Sequence, residues 1–134
     1  MKVVDTNIVV YLLLEGPHSG AARALHAADG DWQSESLLMV ELVNVLATAM
    51  RVAKRPLAET LQTLADARHL MSAGLRSVED RDVLDAAAHF GVNGYDARFL
   101  VVARALSERL VTEDPKLRSK APDLTCSIAE SLAR

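Results

Sequence analysis

The chain predicts an α/β fold built on a parallel sheet. Short apolar strand segments alternate along it with longer helical segments, the pattern of repeated strand–helix crossovers. Half of the 134 residues are apolar, enough for one domain with a core of its own, read as a single unit over residues 1–134. Aromatic residues are few, so that core must come mainly from Leu, Val and Ala.

The elements follow in order. Lys2 to Asp5 reads as a short buried strand, and Asn7 to Leu14 as a helix. Pro17 suits the first turn of a second helix, which Asp29-Gly30 ends. Trp32 to Glu35 is a short strand. Ser36 is the expected N-cap of a helix to about Arg51, apolar on most faces and so expected to be largely buried. Pro56 opens a helix whose apolar positions Leu57, Leu61, Leu64, Ala65 and Met71 keep the helical period, with Gly74 closing it. Leu75 to Val78 reads as a third strand. Ser77-Val78-Glu79-Asp80 resembles a capping box into a helix ending near Gly91. Asn93-Gly94 marks a turn, Asp96 to Glu108 a helix, and Arg109 to Thr112 a strand. Asp114 to Lys120 reads as a short helix, Asp123 to Cys126 as an edge strand, and Ser127 to Ala133 as a terminal helix.

Composition excludes several classes. The net charge of −3 argues against a broad basic surface, although clustered acids would lower that sum in a nuclease too. Cys126 is the only cysteine, so no internal disulfide forms, which fits a reducing cytoplasm. A small buried core residue is the expected role of Cys126. No apolar run is long enough to span a bilayer. Asp5 and Asn7 interrupt what would otherwise resemble a signal peptide, so the chain reads as soluble and unprocessed.

Four acids carry the chemistry. Asp5, Asp96 and Asp114 fall at strand-to-helix junctions or helix starts, and Glu41 lies inside Leu37-Leu38-Met39-Val40-Glu41-Leu42-Val43. An unpaired buried carboxylate is costly, and four that converge are most simply explained by bound divalent cations. Ligands of parallel sheets bind beyond the carboxyl ends of the strands, where Asp5 and Asp114 sit. Hard cations such as Mg²⁺ and Mn²⁺ take carboxylate oxygens, and one or two of them can support in-line phosphoryl displacement. His18, His26, His69 and His89 are scattered, without zinc-site spacing.

Each acid also has a purely structural reading. Asp5 can cap the helix after it, Asp96 can be a first-turn acid, and Asp114 can be a turn residue before Pro115. Asn44 and Thr48 continue the face of Glu41 at i+3 and i+7, a polar stripe that is either a buried network or one wall of a site. Glu79, Asp80, Asp82 and Asp85 form a solvent-facing acidic helix start, and Glu113 reads as solvent-facing. Phosphate contacts need cations, for which Arg98, Lys116, Arg118 and Lys120 are the candidates. Arg51, Lys54 and Arg55 read as a solvated cluster. Tyr95 is either a base-stacking group or packing beside Asp96.

The segments Val4-Asp5-Thr6-Asn7, Glu41-Leu42-Val43-Asn44-Val45-Leu46, Tyr95-Asp96-Ala97 and Leu110-Val111-Thr112-Glu113-Asp114, in this order, resemble a PIN domain. The branch they are most similar to is the VapC-like ribonuclease toxins of toxin–antitoxin pairs. The resemblance covers essentially the whole chain. It implies a three-layer α/β/α sandwich and Mg²⁺- or Mn²⁺-dependent endonucleolytic cleavage of RNA. It matches Asp5, Glu41, Asp96 and Asp114 to a metal-holding acidic quartet, with Asn7 and Thr112 orienting ligands or water. Asn44, on the Glu41 face, joins that supporting set. The resemblance further implies a homodimer and a small antitoxin whose tail enters the cleft. The rival expectations are a PIN-like module that binds without cutting and a PIN nuclease with no antitoxin. A phosphoacceptor receiver domain fails for want of paired acids after the first strand and a lysine after Leu110-Val111-Thr112. A haloacid-dehalogenase-like phosphatase would want Asp at Asn7.

Overall fold

The computed structural model describes residues 1–134. Five short strands form one sheet: β1 (Lys2–Val4), β2 (Trp32–Glu35), β3 (Leu75–Arg76), β4 (Leu110–Val111) and β5 (Thr125–Cys126). They lie in the order β3-β2-β1-β4-β5, and every pairing is parallel. Val3 sits opposite Gln33 on one side and Leu110 on the other, so β1 is the central strand. The helices are α1 (Thr6–Leu13), α2 (Ser19–Ala28), α3 (Leu37–Val52), α4 (Leu57–Met71), α5 (Asp80–Phe90), α6 (Gly94–Ala105), α7 (Pro115–Lys120) and α8 (Ile128–Leu132).

Helices α1, α2, α3, α4 and α8 pack on one another in one layer. Helices α5 and α6 form the other, with α6 lying over β2, β1 and β4. The result is an α/β/α sandwich. From β1 the chain adds β2 and β3 on one side, then crosses back to add β4 and β5 on the other. The strand order therefore reverses between β1 and β4, and a crevice opens beyond their carboxyl ends. The core beneath it is aliphatic: Val3, Val4, Ile8, Leu38, Leu42, Leu100, Leu110 and Ile128 are all buried. Cys126 is buried among them, and burial pushes its thiol up, away from reactivity. No helix is long and apolar enough to cross a membrane.

The strands fall where the hydrophobic runs put them, a residue or two shorter at several ends. The helical faces differ more. Helix α3 is not buried on most sides: Leu38, Met39, Leu42 and Leu46 face the core, while Val40 is 67 % exposed and Val43 is also exposed. On α4 the buried stripe is Thr60, Thr63, Ala67 and Met71, and Leu57 and Leu61 point outward. The threonines can be buried because their hydroxyls bond back to Pro56 O and Glu59 O within the helix. Helix α6 begins at Gly94, two residues before the expected Asp96, because Asn93 caps it.

Capping also departs from expectation. Ser36 makes no side-chain cap; the Glu35 carboxylate accepts from Leu37 N instead. The Ser36 hydroxyl reaches Arg76 O and the Ser77 hydroxyl. That leaves no capping box at Ser77, and Glu79 opens α5 without a side-chain bond. A reciprocal box forms at Ser127 and Glu130.

Gly74 marks a close approach of chains, since a Cβ there would stand 2.1 Å from Trp32 O. Gly74→Ala is expected to destabilise the fold by about 1–3 kcal/mol through overpacking against backbone that cannot rotate away. Gly20 lies in α2 with open space around it, and Gly20→Ala is expected to gain about 0.5 kcal/mol. Urea midpoints of the two variants, moving in opposite directions, would check both.

Candidate functional site

The crevice between β1 and β4 is a cleft of about 410 Å³. Asp5, Glu41, Asp96 and Asp114 all line it, with Thr6, Asn7, Asn44 and Tyr95. The structure thus brings all four sequence-selected acids to one opening. They do not draw together there: no three carboxylates lie close enough to form a ready-made metal cage.

Each acid arrives by a different local route. Asp5 ends β1 and caps α1, its Oδ1 accepting from Ile8 N at 3.3 Å. Its own N–H bonds Val111 O, tying it to the end of β4. Asp114 caps α7, accepting from Lys116 N at 2.9 Å and Leu117 N at 3.4 Å. Asp96 lies in the first turn of α6, its N–H taken by Asn93 Oδ1 at 2.8 Å, so its carboxylate is not needed as the cap. Glu41 stands one turn into α3 and is half-buried on the cleft wall, not embedded in the core. The stripe of Glu41, Asn44 and Thr48 is no buried network. Asn44 is exposed and lines the cleft, while the Thr48 hydroxyl simply bonds back to Asn44 O.

Two hydroxyls serve the acids. Thr6 is buried and donates to Glu41 Oε1 at 2.6 Å. Sequence reasoning passed over Thr6; the signal was its place between Asp5 and Asn7 at the first turn of α1. Thr112 is fully buried, accepts from Asp114 N at 3.1 Å, and its hydroxyl lowers the proton affinity of Asp5. Asn7 is exposed at the cleft wall.

Electrostatics mark Asp5 as the strained member. Desolvation pushes its pKa up to about 7; the Thr112 hydroxyl and Ile8 N–H oppose this, and the charges of Asp96 and Glu41 add to it. Burial also raises Asp96, reinforced by Asp114 and Glu41 and opposed by Lys120. The negative field reaches Tyr11 on α1, whose phenol is raised by burial and then by Asp5, Glu113 and Asp114.

The basic candidates divide. Arg98 Nη1 pairs with Glu35 Oε1 at 3.1 Å. Arg118 Nη1 donates to Thr112 O at 2.9 Å and lies 3.7 Å from Glu113. Glu113 is therefore not a solvent-facing acid: its Oε1 accepts from Ile128 N at the start of α8. Lys120 Nζ donates to Gly91 O at 2.8 Å. Lys116 makes no side-chain bond. Lys116 and Lys120 line a second hollow of about 290 Å³ with Asn93, which shares Asp96 and Asp114 with the main cleft. Glu79, Asp80, Asp82 and Asp85 are exposed on or beside α5, outside the cleft.

A parallel α/β sandwich whose strand-end crevice carries four carboxylates and no nucleophilic Ser or Cys has the features of a nuclease-type fold. The PIN domain family model matches residues 2–121, and the chain belongs to that family. Its members are generally nucleases that hydrolyse phosphodiester bonds, typically with divalent metal ions. Among solved structures, the crystal structure of PAE2754 from Pyrobaculum aerophilum superposes with a TM-score of 0.73 at 21 % identity. The match covers 99 % of this chain and 94 % of that one, and it shows a shared fold. No curated protein matches the chain significantly.

The raised pKa of Asp5 fixes a sign. Between about pH 4 and 7 the folded protein holds a proton on Asp5 that the unfolded chain has lost. Its contribution to stability is therefore complete below about pH 4 and is lost as pH rises through 7. Asp5→Asn is expected to remove that slope and, in metal-free buffer at pH 8, to stabilise the fold by up to about 4 kcal/mol, the full worth of the shift from 3.8 to about 7. Urea unfolding of both proteins from pH 5 to 8 would check it; equal gaps at every pH would refute it.

Proposed function

We propose that the chain is a Mg²⁺- or Mn²⁺-dependent endoribonuclease, acting as the toxin of a toxin–antitoxin pair. The observation that carries this reading is the convergence of Asp5, Glu41, Asp96 and Asp114 on one cleft at the strand reversal. The donor set fits a hard cation, being carboxylate, hydroxyl and amide groups, with no sulfur or imidazole lining the cleft. Asp5, Asp96 and Asp114 would hold one or two ions, and Glu41 would complete the set. When bound, a divalent cation supplies charge against the phosphodiester oxygens and acidifies water.

The chain's own residues supply the rest. Asp5 stays near its protonation midpoint at neutral pH, so proton and cation compete for it. Thr6 occupies Glu41 Oε1, which leaves Oε2 free to accept a proton from the attacking water. The water oxygen bonds phosphorus as the opposite P–O ester bond breaks in line, and the leaving oxygen takes a proton from solvent. Thr112 and the caps from Ile8, Lys116 and Leu117 keep Asp5 and Asp114 aimed at the opening. Lys116 and Lys120, in the hollow beside Asp96 and Asp114, would take a flanking phosphate, and Tyr95 at the rim would stack a base.

The resemblance of the four motifs to VapC-like toxins supports RNA as substrate and a small antitoxin as partner. A basic antitoxin tail suits the acidic opening. Exposed Val43, Leu57 and Leu61 on α3 and α4 favour a homodimer or a bound partner over a free monomer. The free thiol of Cys126 suits the cytoplasm. A non-catalytic module would be expected to lack an acid, and none is lacking.

Cleavage of RNA by the purified chain should require Mn²⁺ or Mg²⁺ and stop with chelator. Asp96→Asn should lower it at least about 100-fold while the variant stays folded. Retained cleavage in Asp96→Asn would refute the assignment, and cutting of DNA alone would move the substrate. Thr6→Val is expected to lower kcat/KM by about 10–100-fold, with Thr6→Ser restoring most of it. Equal activity of Thr6→Val and wild type would show that the Glu41 hydrogen bond is only packing.

A further inference from the structure

Glu35 is the one charged side chain in the core, 1 % exposed at the end of β2. It has no part in lining the cleft, yet its partners stand on two walls of it. One oxygen accepts from Leu37 N at the start of α3, and the other accepts from Arg98 Nη1 on α6 at 3.1 Å. The Ser36 hydroxyl adds a longer bond of 3.4 Å. Glu41 lies four residues beyond Leu37, one turn along α3, and Asp96 lies two residues before Arg98 on α6. No other side-chain hydrogen bond joins α6 to β2 or α3.

We infer that the Glu35–Arg98 pair is a positioning device that sets the separation of Glu41 and Asp96 across the cleft. This rests on the nuclease reading above for its purpose, not for its geometry. An ion pair that buries its carboxylate and only partly buries its guanidinium is a poor choice for stability alone, because apolar side chains of similar volume usually serve as well or better at the buried position. It is a good choice for fixing a distance, since both groups are directional and each is costly to leave unpaired. The need is clear at this place. Glu41 and Asp96 carry like charge and repel, so the walls that bear them tend to part. The pair opposes that opening from the Glu35 side, where the carboxylate is buried, although the Arg98 side chain is 34 % exposed. Placement of reacting groups to within a fraction of an ångström matters steeply to rate. Arg98 thereby leaves the set of phosphate-binding candidates: its charge is directed inward.

The test uses the double variant Glu35→Gln/Arg98→Met. The introduced amide oxygen still accepts from Leu37 N, and no charge is left buried alone. Arg98→Lys, which keeps the charge and loses the planar fork, is the second variant and decides the matter if the first does not fold. Wall spacing is read directly from the dipolar coupling of nitroxides attached through Val40→Cys and Tyr95→Cys. These exposed residues flank Glu41 and Asp96, and buried Cys126 stays unlabelled. Mn²⁺ affinity is read by calorimetry on unlabelled protein. The expected result is a longer, broader spin–spin distance than in the wild-type pair background, Mn²⁺ affinity weakened at least tenfold, and a metal-free Tm within a few degrees of wild type. An unchanged distance distribution in a folded variant overturns the inference, whatever happens to Mn²⁺. Failure of wild type to bind Mn²⁺ would overturn the metal-dependent reading instead, while the distances would still decide the role of the pair.

Discussion

Mutual repulsion of carboxylates at one sheet edge is the constraint on which the rest of this molecule depends. Parallel topology puts them there and also makes them tolerable. Every strand of the sheet points its carboxyl end toward the same edge, so every following helix begins at that edge. The positive ends of α1 and α7 therefore meet at the acids, where Asp5 caps α1 and Asp114 caps α7, and α6, entered from α5 through the Asn93 cap, brings Asp96 in its first turn to the same cleft. Only Glu41 lacks a helix start of its own. It lies one turn into α3 on the cleft wall and takes the Thr6 hydroxyl instead. Asp5 is held deepest, and helix end and hydroxyl together do not offset its desolvation.

Capping and chemistry are consequently not rival explanations of these residues. A carboxylate has two oxygens and several lone pairs. Asp5 and Asp114 each commit Oδ1 to backbone N–H groups, which immobilises the side chain. The cap is what makes such a ligand rigid, because its rotamer is set before anything binds. Asp96 reaches the same end differently, since Asn93 takes over the capping and frees the acid. Local sequence chemistry and site architecture are here one design.

Much of this could be read along the chain because it is local. The β1–Asp5–α1 junction, the Pro115 helix start and the αL glycine at Gly91 follow from neighbours a few residues away. What could not be read depends on partners distant in sequence. Thr6 meets Glu41 across 35 positions, and Arg98 meets Glu35 across 63. Glu35 looked like an ordinary strand-end residue; nothing beside it announces that its charge is buried and matched. Helical periodicity failed on α4 for a related reason. Threonine hydroxyls that bond back to their own helix can be buried like aliphatics, so the apolar residues Leu57 and Leu61 were free to face outward. On α3, apolar residues on nearly every face hid the fact that only one face meets the core.

The disposition of the cations bears on how a polyanion would be held. Of the four basic side chains nearest the site, three are engaged within the protein: Arg98 with Glu35, Arg118 with Thr112 O, and Lys120 with Gly91 O. The net charge is −3 and the cleft itself is acidic, so long-range attraction for nucleic acid is weak. On the proposed function, affinity at the centre must therefore come with the divalent cation, which reverses the local sign only where the four acids can hold it. The remaining contacts are an exposed tyrosine and valine at the rim and a lysine hollow to one side. Such a surface grips a short, unpaired stretch of backbone and bases better than it grips a rigid duplex. Substrate binding and metal binding are then the same electrostatic event, and whatever sets the spacing of Glu41 and Asp96 controls both.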